Sequence, residues 1–267
     1  MTQVQTVVFH EPKLGSTAGE WEDGAGYDPG DPATGRSARC VVVDGATEAY
    51  DSIRWVAQLV DSFLGLAPSG PPVLSGAGLD DWFGRMQEQW LQAAPSTFAS
   101  VFEERKFRED GSFATLLGCE IRGLNSPRPH WSAVALGDTV LFHLRGTRLR
   151  AQFPALAAEE FGLNPDGVFT QPSGRGRMRA ALRHAQGQLA VGDRLFLATD
   201  AFAEWVVRAD RTHPGRLWPL LSRLHHPALF RQLVEDRRRA GDMKNDDVTL
   251  LRVDVTAGDP ELLLVCR

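Results

Sequence analysis

Three acidic positions in this chain share one local design. Asp44 follows the apolar run Val41-Val42-Val43, and Asp200 follows Leu195-Phe196-Leu197-Ala198-Thr199. Asp246 and Asp247 immediately precede Val248-Thr249-Leu250-Leu251. Each carboxylate therefore stands at the mouth of a run that reads as a buried strand. If those strands are neighbours, the carboxylates converge at one end of a sheet. There they repel one another unless protonated or neutralised by a cation. Clustered hard oxygen donors suit Mg²⁺ or Mn²⁺. Asp-Gly and Asn-Asp-Asp are also ordinary turn chemistry, so each position taken singly reads as a turn.

Placing such acids together requires a fold with several strands and a full core. The chain has 267 residues, 43% hydrophobic and 24% charged, which is enough for a core without disulfide or metal staples. We read residues 1–267 as a single domain. A net charge of −5 argues against a general nucleic-acid binder. Cys40, Cys119 and Cys266 are three cysteines at no metal-ligand spacing, and Cys40 and Cys119 sit in apolar surroundings typical of buried thiols. The opening MTQVQTVVFHEPK lacks the basic and apolar regions of a signal peptide. No apolar stretch is long enough to span a membrane, so no membrane partner is expected. A reducing, cytoplasmic location is the expectation.

Residues 4–10 read as a short strand, 15–38 mostly as loop, and Arg39 to Val43 as a buried strand. An amphipathic helix follows, roughly from Glu48 to Leu64. Residues 79–108 have helical spacing interrupted at Pro95-Ser96. Residues 113–121 read as a strand, and 131–144 as a hairpin turning at Gly137-Asp138. Arg194 to Thr199 and Val248 to Val255 complete the strands, and 201–240 is mostly helical and rich in arginine. These elements predict mixed α and β layers in one domain.

In this order the motifs resemble those of the metal-dependent serine/threonine protein phosphatases of type 2C. Val43-Asp44-Gly45-Ala46-Thr47 is similar to the first metal motif of that family. Asp110-Gly111-Ser112-Phe113-Ala114-Thr115 resembles its Asp-x-x-Gly-Ser-Thr segment, and Ala135-Leu136-Gly137-Asp138-Thr139 its Val-Gly-Asp-Ser segment. The run from Gly192-Asp193 to Thr199-Asp200 resembles the Gly-Asp…Thr-Asp-Gly strand. Asp246-Asp247-Val248-Thr249 resembles the closing Asp-Asn-x-Thr, and Glu22-Asp23 the acidic pair opening the second strand. The resemblance covers about residues 10–255. It implies an α+β fold, a four-layer αββα sandwich of two antiparallel sheets flanked by helices. It also implies hydrolysis of phosphoserine and phosphothreonine in proteins by water bridging two Mn²⁺ or Mg²⁺ ions. Asp44 would bridge both ions, Gly45 would offer its carbonyl, and Asp200 and Asp246 would bind the second ion. Asp23 would hold metal-bound water, Asp247 would lie near the ions, and Asp110 would share a weak third ion with Asp200. A phosphorylated protein substrate and a cognate serine/threonine kinase are the implied partners.

The chain departs from the pattern in three places. Ala46-Thr47-Glu48 lacks the histidine that can follow Asp-Gly, and Ala201 replaces the glycine after Thr-Asp. The phosphate-binding arginine falls on Ala18, which leaves Lys13 as the nearest candidate cation; a lysine grips phosphate as a point charge and not bidentately. These losses suit a rival reading, a pseudophosphatase that keeps the fold to bind a partner. The retained acids suit turnover. His10 reads as structural, His225-His226 as a helix break, and the basic run Arg175 to His184 as a solvated helix start. Specificity for a small molecule or a regulatory anti-factor protein would reside in 201–240.

Overall fold

The computed structural model describes residues 2–47, 49–68, 70–162 and 165–258. Glu48, at the expected start of the first helix, and Cys266 lie outside the described residues. The chain opens with β1 (Thr2–Glu11), β2 (Asp23–Asp28) and β3 (Ala38–Gly45). Helices α1 (Ser52–Leu64), α2 (Gly76–Gln92) and α3 (Val101–Arg105) follow, the last continuing as a wider turn over Lys106–Asp110. Then come β4 (Phe113–Arg122), β5 (His130–Leu136), β6 (Val140–Arg145), β7 (Arg148–Phe153), β8 (Val168–Phe169), α4 (Arg175–Ala181), β9 (Arg183–Gln188) and β10 (Asp193–Ala198). Helices α5 (Asp200–Thr212), α6 (Pro214–Ser222) and α7 (Pro227–Arg239) lead to β11 (Val248–Ala257).

The strands form two antiparallel sheets. One has the order β1-β11-β10-β6-β7, and the other β2-β3-β4-β5-β9 with β8 against the start of β4. Their facing sides share a core that includes Val42, Leu117, Leu195, Leu197, Leu251 and Val253. Helices α5, α6 and α7 cover the outer face of the first sheet through Phe202, Trp218 and Phe230. Helices α1 and α2 cover the second through Trp55, Leu59, Phe63 and Trp82. This is the expected αββα sandwich. No helix among the described residues is long and apolar enough to cross a membrane.

Helix α1 buries Trp55, Val56, Leu59 and Phe63, one apolar stripe at helical spacing. It stops at Gly65, whose φ of 78° is left-handed, with the Leu66 N–H donating back to the Asp61 carbonyl at 2.9 Å. The helix lies so close to β4 that a Cβ at Gly118 would overlap the Phe63 ring. Gly118→Ala is expected to destabilise the fold by about 1–3 kcal/mol through this overpacking. A lowered urea midpoint with an unchanged slope would register it.

Two sequence expectations are corrected. Residues 131–144 are not a hairpin: β5 pairs with β4 and β9 in one sheet, and β6 with β10 and β7 in the other. Both strands are largely buried, so each gains from two partners of its own sheet. The turn at Gly137-Asp138 reverses the chain and also carries it between sheets. The second correction is β2, which lies inside the stretch read mostly as loop. Its glycines weaken the strand pattern, yet Val56 and Leu64 of α1 fill the space that side chains at Gly24 and Gly26 would need.

Cys40 and Cys119 are buried and face each other across β3 and β4. Burial pushes the Cys40 thiol up to about 12, so it is no nucleophile. His10 stacks on Trp21, and His225 and His226 close the turn before α7. The basic run is tied internally: Arg175 to Gln87, Arg177 to Asp166, and Arg179 to Asp80.

Candidate metal centre

The register of the second sheet sets Asp23 of β2 directly opposite Asp44 of β3, and Asp44 opposite Thr115 of β4. Residues directly opposite on antiparallel strands project to the same face, where like charges repel. Gly45 ends β3 against Ala114. In the first sheet Ala198 pairs with Leu250, so Thr199-Asp200 and the Asp246-Asp247 entry to β11 emerge at one sheet end. Asp23 joins the two sheets. Its Oδ2 accepts hydrogen bonds from the Thr249 hydroxyl at 2.7 Å and the Thr199 hydroxyl at 3.1 Å.

The electrostatics follow from this crowding. Burial, and then the charges of Asp23, Asp200, Asp138 and Asp246, hold the Asp44 carboxyl well above the usual carboxylate range. Burial pushes Asp23 up to about 8, with the Asp247 and Asp200 charges adding to it and the two threonine hydroxyls opposing it. Asp200 is pushed up to about 7 by burial and by Asp138 and Asp246, against the pull of Lys244. Mutual repulsion of this kind marks a place built for cations or protons.

The remaining expected residues stand as follows. Asp246 is exposed, and its Oδ1 accepts the Asp247 N–H at 2.9 Å. Asp247 is buried and holds backbone: Oδ1 accepts the Lys13 N–H at 2.8 Å and Oδ2 the Glu22 N–H at 2.9 Å. It ties the strand entry to the 13–22 segment. The Lys13 ammonium lies 3.2 Å from Glu22 and 3.4 Å from the Thr47 hydroxyl. Burial opposes its charge, but the Glu22 bond and charge outweigh that and raise its proton affinity. Asp110 is exposed at the end of the turn that follows α3.

Sequence reasoning passed over Asp138, which it placed in a hairpin turn. Asp138 is buried, and its Oδ2 accepts the Gly162 N–H at 2.9 Å. The signal available was the Ala135-Leu136-Gly137-Asp138-Thr139 segment, an aspartate just after an apolar strand.

Among the described residues, no three acid, histidine or cysteine side chains form a closed cage that could already hold an ion. The donor set still fits Mn²⁺ or Mg²⁺. Asp23, Asp44 and Asp200 are hard oxygen donors whose charges oppose one another, offset only in part by Lys244 at Asp200, with the Gly45 carbonyl and Asp246 at the same sheet ends.

No protein-family model matches the chain, and no curated protein matches it either. Solved structures do. The catalytic domain of the serine/threonine phosphatase PstP in complex with two manganese ions superposes with a TM-score of 0.62. It is 16% identical and covers 96% of this chain and 100% of its own. The Mycobacterium tuberculosis PstP structure gives 0.63 at the same identity and coverage. RsbX in complex with magnesium gives 0.56 at 12% identity, over 95% of this chain and 96% of that one. PppA of Pseudomonas aeruginosa gives 0.52 at 18%, over 96% and 100%. The chain has the fold of the bacterial type 2C serine/threonine phosphatases over nearly its whole length.

Proposed function

We propose that this chain is a Mn²⁺- or Mg²⁺-dependent phosphatase that hydrolyses phosphoserine and phosphothreonine in proteins. The observation that carries the reading is the Asp23–Asp44 pair, set face to face across β2 and β3 with Asp200 beside them. Such repulsion is costly unless the site exists to hold cations. Asp44, Asp23, Asp200, Asp246 and the Gly45 carbonyl would hold two ions. Two divalent ions, when bound, supply Lewis acidity and clamp an in-line displacement at phosphorus.

The other residues bind and orient. Thr199 and Thr249 fix the rotamer of Asp23. Asp247 pins the backbone at Lys13 and Glu22, which keeps the Lys13 ammonium beside Glu22 and within the field of Asp246 and Asp247. There Lys13 would meet a substrate phosphate as a point charge. Ala46 and Thr47 carry no proton donor of histidine type, so the departing alkoxide takes its proton from solvent. The substrate would be a phosphorylated protein set in that state by a serine/threonine kinase, and the neighbour PstP, a serine/threonine phosphatase, supports that class.

The second reading, a pseudophosphatase that binds a partner, is favoured by the absence of a closed cage among the described residues and by the pairing of Lys13 with Glu22. Hydrolysis of p-nitrophenyl phosphate and of a phosphothreonine peptide separates the two. The protein should be inactive in excess chelator and recover with Mn²⁺ or Mg²⁺. Zn²⁺ and Ca²⁺ should restore less, because neither prefers a labile octahedral oxygen site. Full activity in chelator would overturn the metal mechanism, and inactivity with every ion would favour the partner-binding reading.

A further inference from the structure

One cation is built into the edge of the acidic cluster. Asp200 and Glu204 are one turn apart on α5, so their carboxylates share a helix face and repel. The Lys244 ammonium lies 2.7 Å from Glu204 Oε2. The other oxygen of Glu204 is held by Arg208, which keeps the glutamate turned toward the lysine. A Cβ on Gly162 would lie 3.0 Å from the Lys244 ammonium, and the Gly162 N–H donates to Asp138. Lys244 thus joins three separate parts of the chain: the first turns of α5, the segment at Gly162, and the entry to β11.

The neighbouring carboxylates have need of a positive charge. Asp138 is 5% exposed, and its Oδ1 is buried without a hydrogen-bond partner among the described residues. A carboxylate oxygen so placed calls for a cation within Coulomb range. Asp110, the expected partner of Asp200 for a third ion, is exposed. The Lys244 ammonium acts electrostatically on both Asp138 and Asp200.

We propose that Lys244 is the resident counter-ion of this centre: its ammonium occupies the Asp138–Glu204 side of Asp200, so that divalent ions are confined to the side of Asp200 that meets Asp23 and Asp44. Lys244 is a positioning residue and touches no substrate. The inference rests on the metal-centre reading above. It predicts that removing the ammonium opens room for an ion, because Asp138 and Asp200 then lose that charge and Glu204 keeps Arg208 on one oxygen alone.

The experiment is calorimetric or spin-resonance titration of metal-free full-length protein with Mn²⁺. Wild type should take two ions per chain, and Lys244→Met one more than wild type. Lys244→Arg should return to the wild-type count, which a merely structural lysine would not require. Equal counts in wild type and Lys244→Met would overturn the inference, whatever that count is. A wild type that takes no ion would sink the metal-centre reading separately, and an ion gained by Lys244→Met would still support the counter-ion. If Lys244→Met folds only when Mn²⁺ is added, that ion stands in for the ammonium and supports the inference. If it folds under neither condition, Lys244→Gln is read in the same way.

Discussion

Asp44→Asn is expected to lower the metal-dependent rate at least about a hundredfold. The substitution keeps shape and volume and removes one negative charge from the place where the most carboxylates meet. Asp44 faces Asp23 across the strand pair and receives the fields of Asp200, Asp138 and Asp246. An amide there is a poorer ligand and cannot bridge two ions as a carboxylate can. The fold should survive, and metal-free Asp44→Asn should melt higher than metal-free wild type at pH 8, because the variant has no carboxyl there whose ionisation folding must oppose. Rate loss and apo stabilisation together are the signature of a ligand. A lower melting temperature with near-normal turnover would place Asp44 in a structural role and refute the assignment.

Much of this centre could be read from the sequence because strand mouths have local signatures. Val41-Val42-Val43 before Asp44, and the β10 run before Asp200, predict buried strands ending in acids, and those strands stand where expected. The parts that escaped depend on contacts between distant segments. The glycines of β2 look like loop residues until α1 is seen resting on them. The Gly137-Asp138 turn is compatible with a hairpin, and only the competition among strands for partners sends β6 to the other sheet. Asp138 acquires its burial from that crossing. Lys244 lies in a polar segment before β11 and gains meaning only when α5 brings Glu204 within 2.7 Å. Asp247 reads like Asp246 in sequence, yet one is buried under two backbone N–H groups and the other is exposed.

The stability of the metal-free protein should fall steeply as pH rises from about 4 to about 8. Three carboxyls carry the effect: Asp23 pushed up to about 8, Asp200 to about 7, and Asp44 held well above the usual range, each by burial first and neighbouring acids next. In the unfolded chain these groups lose their protons near pH 4. Between that pH and their folded values the native state binds more protons than the unfolded state. Stability therefore declines with pH across the interval and levels off above it. A single carboxyl whose folded value lies three pH units above its unfolded one costs on the order of 4 kcal/mol once the pH has passed the folded value. The three interact, so the total is less than three times that. Divalent ions bind only the ionised native cluster, and saturating Mn²⁺ should restore the loss at pH 8 far more than at pH 5. The measurement is urea unfolding at pH 5, 6, 7 and 8, in chelator and in Mn²⁺, for wild type and Asp44→Asn. The variant should flatten the chelator curve, since it removes one titrating group and lowers the repulsion on the other two. A chelated wild type whose stability is level or rises from pH 5 to 8 would mean that these carboxyls are already ionised and compensated, and the cluster would then need no ion.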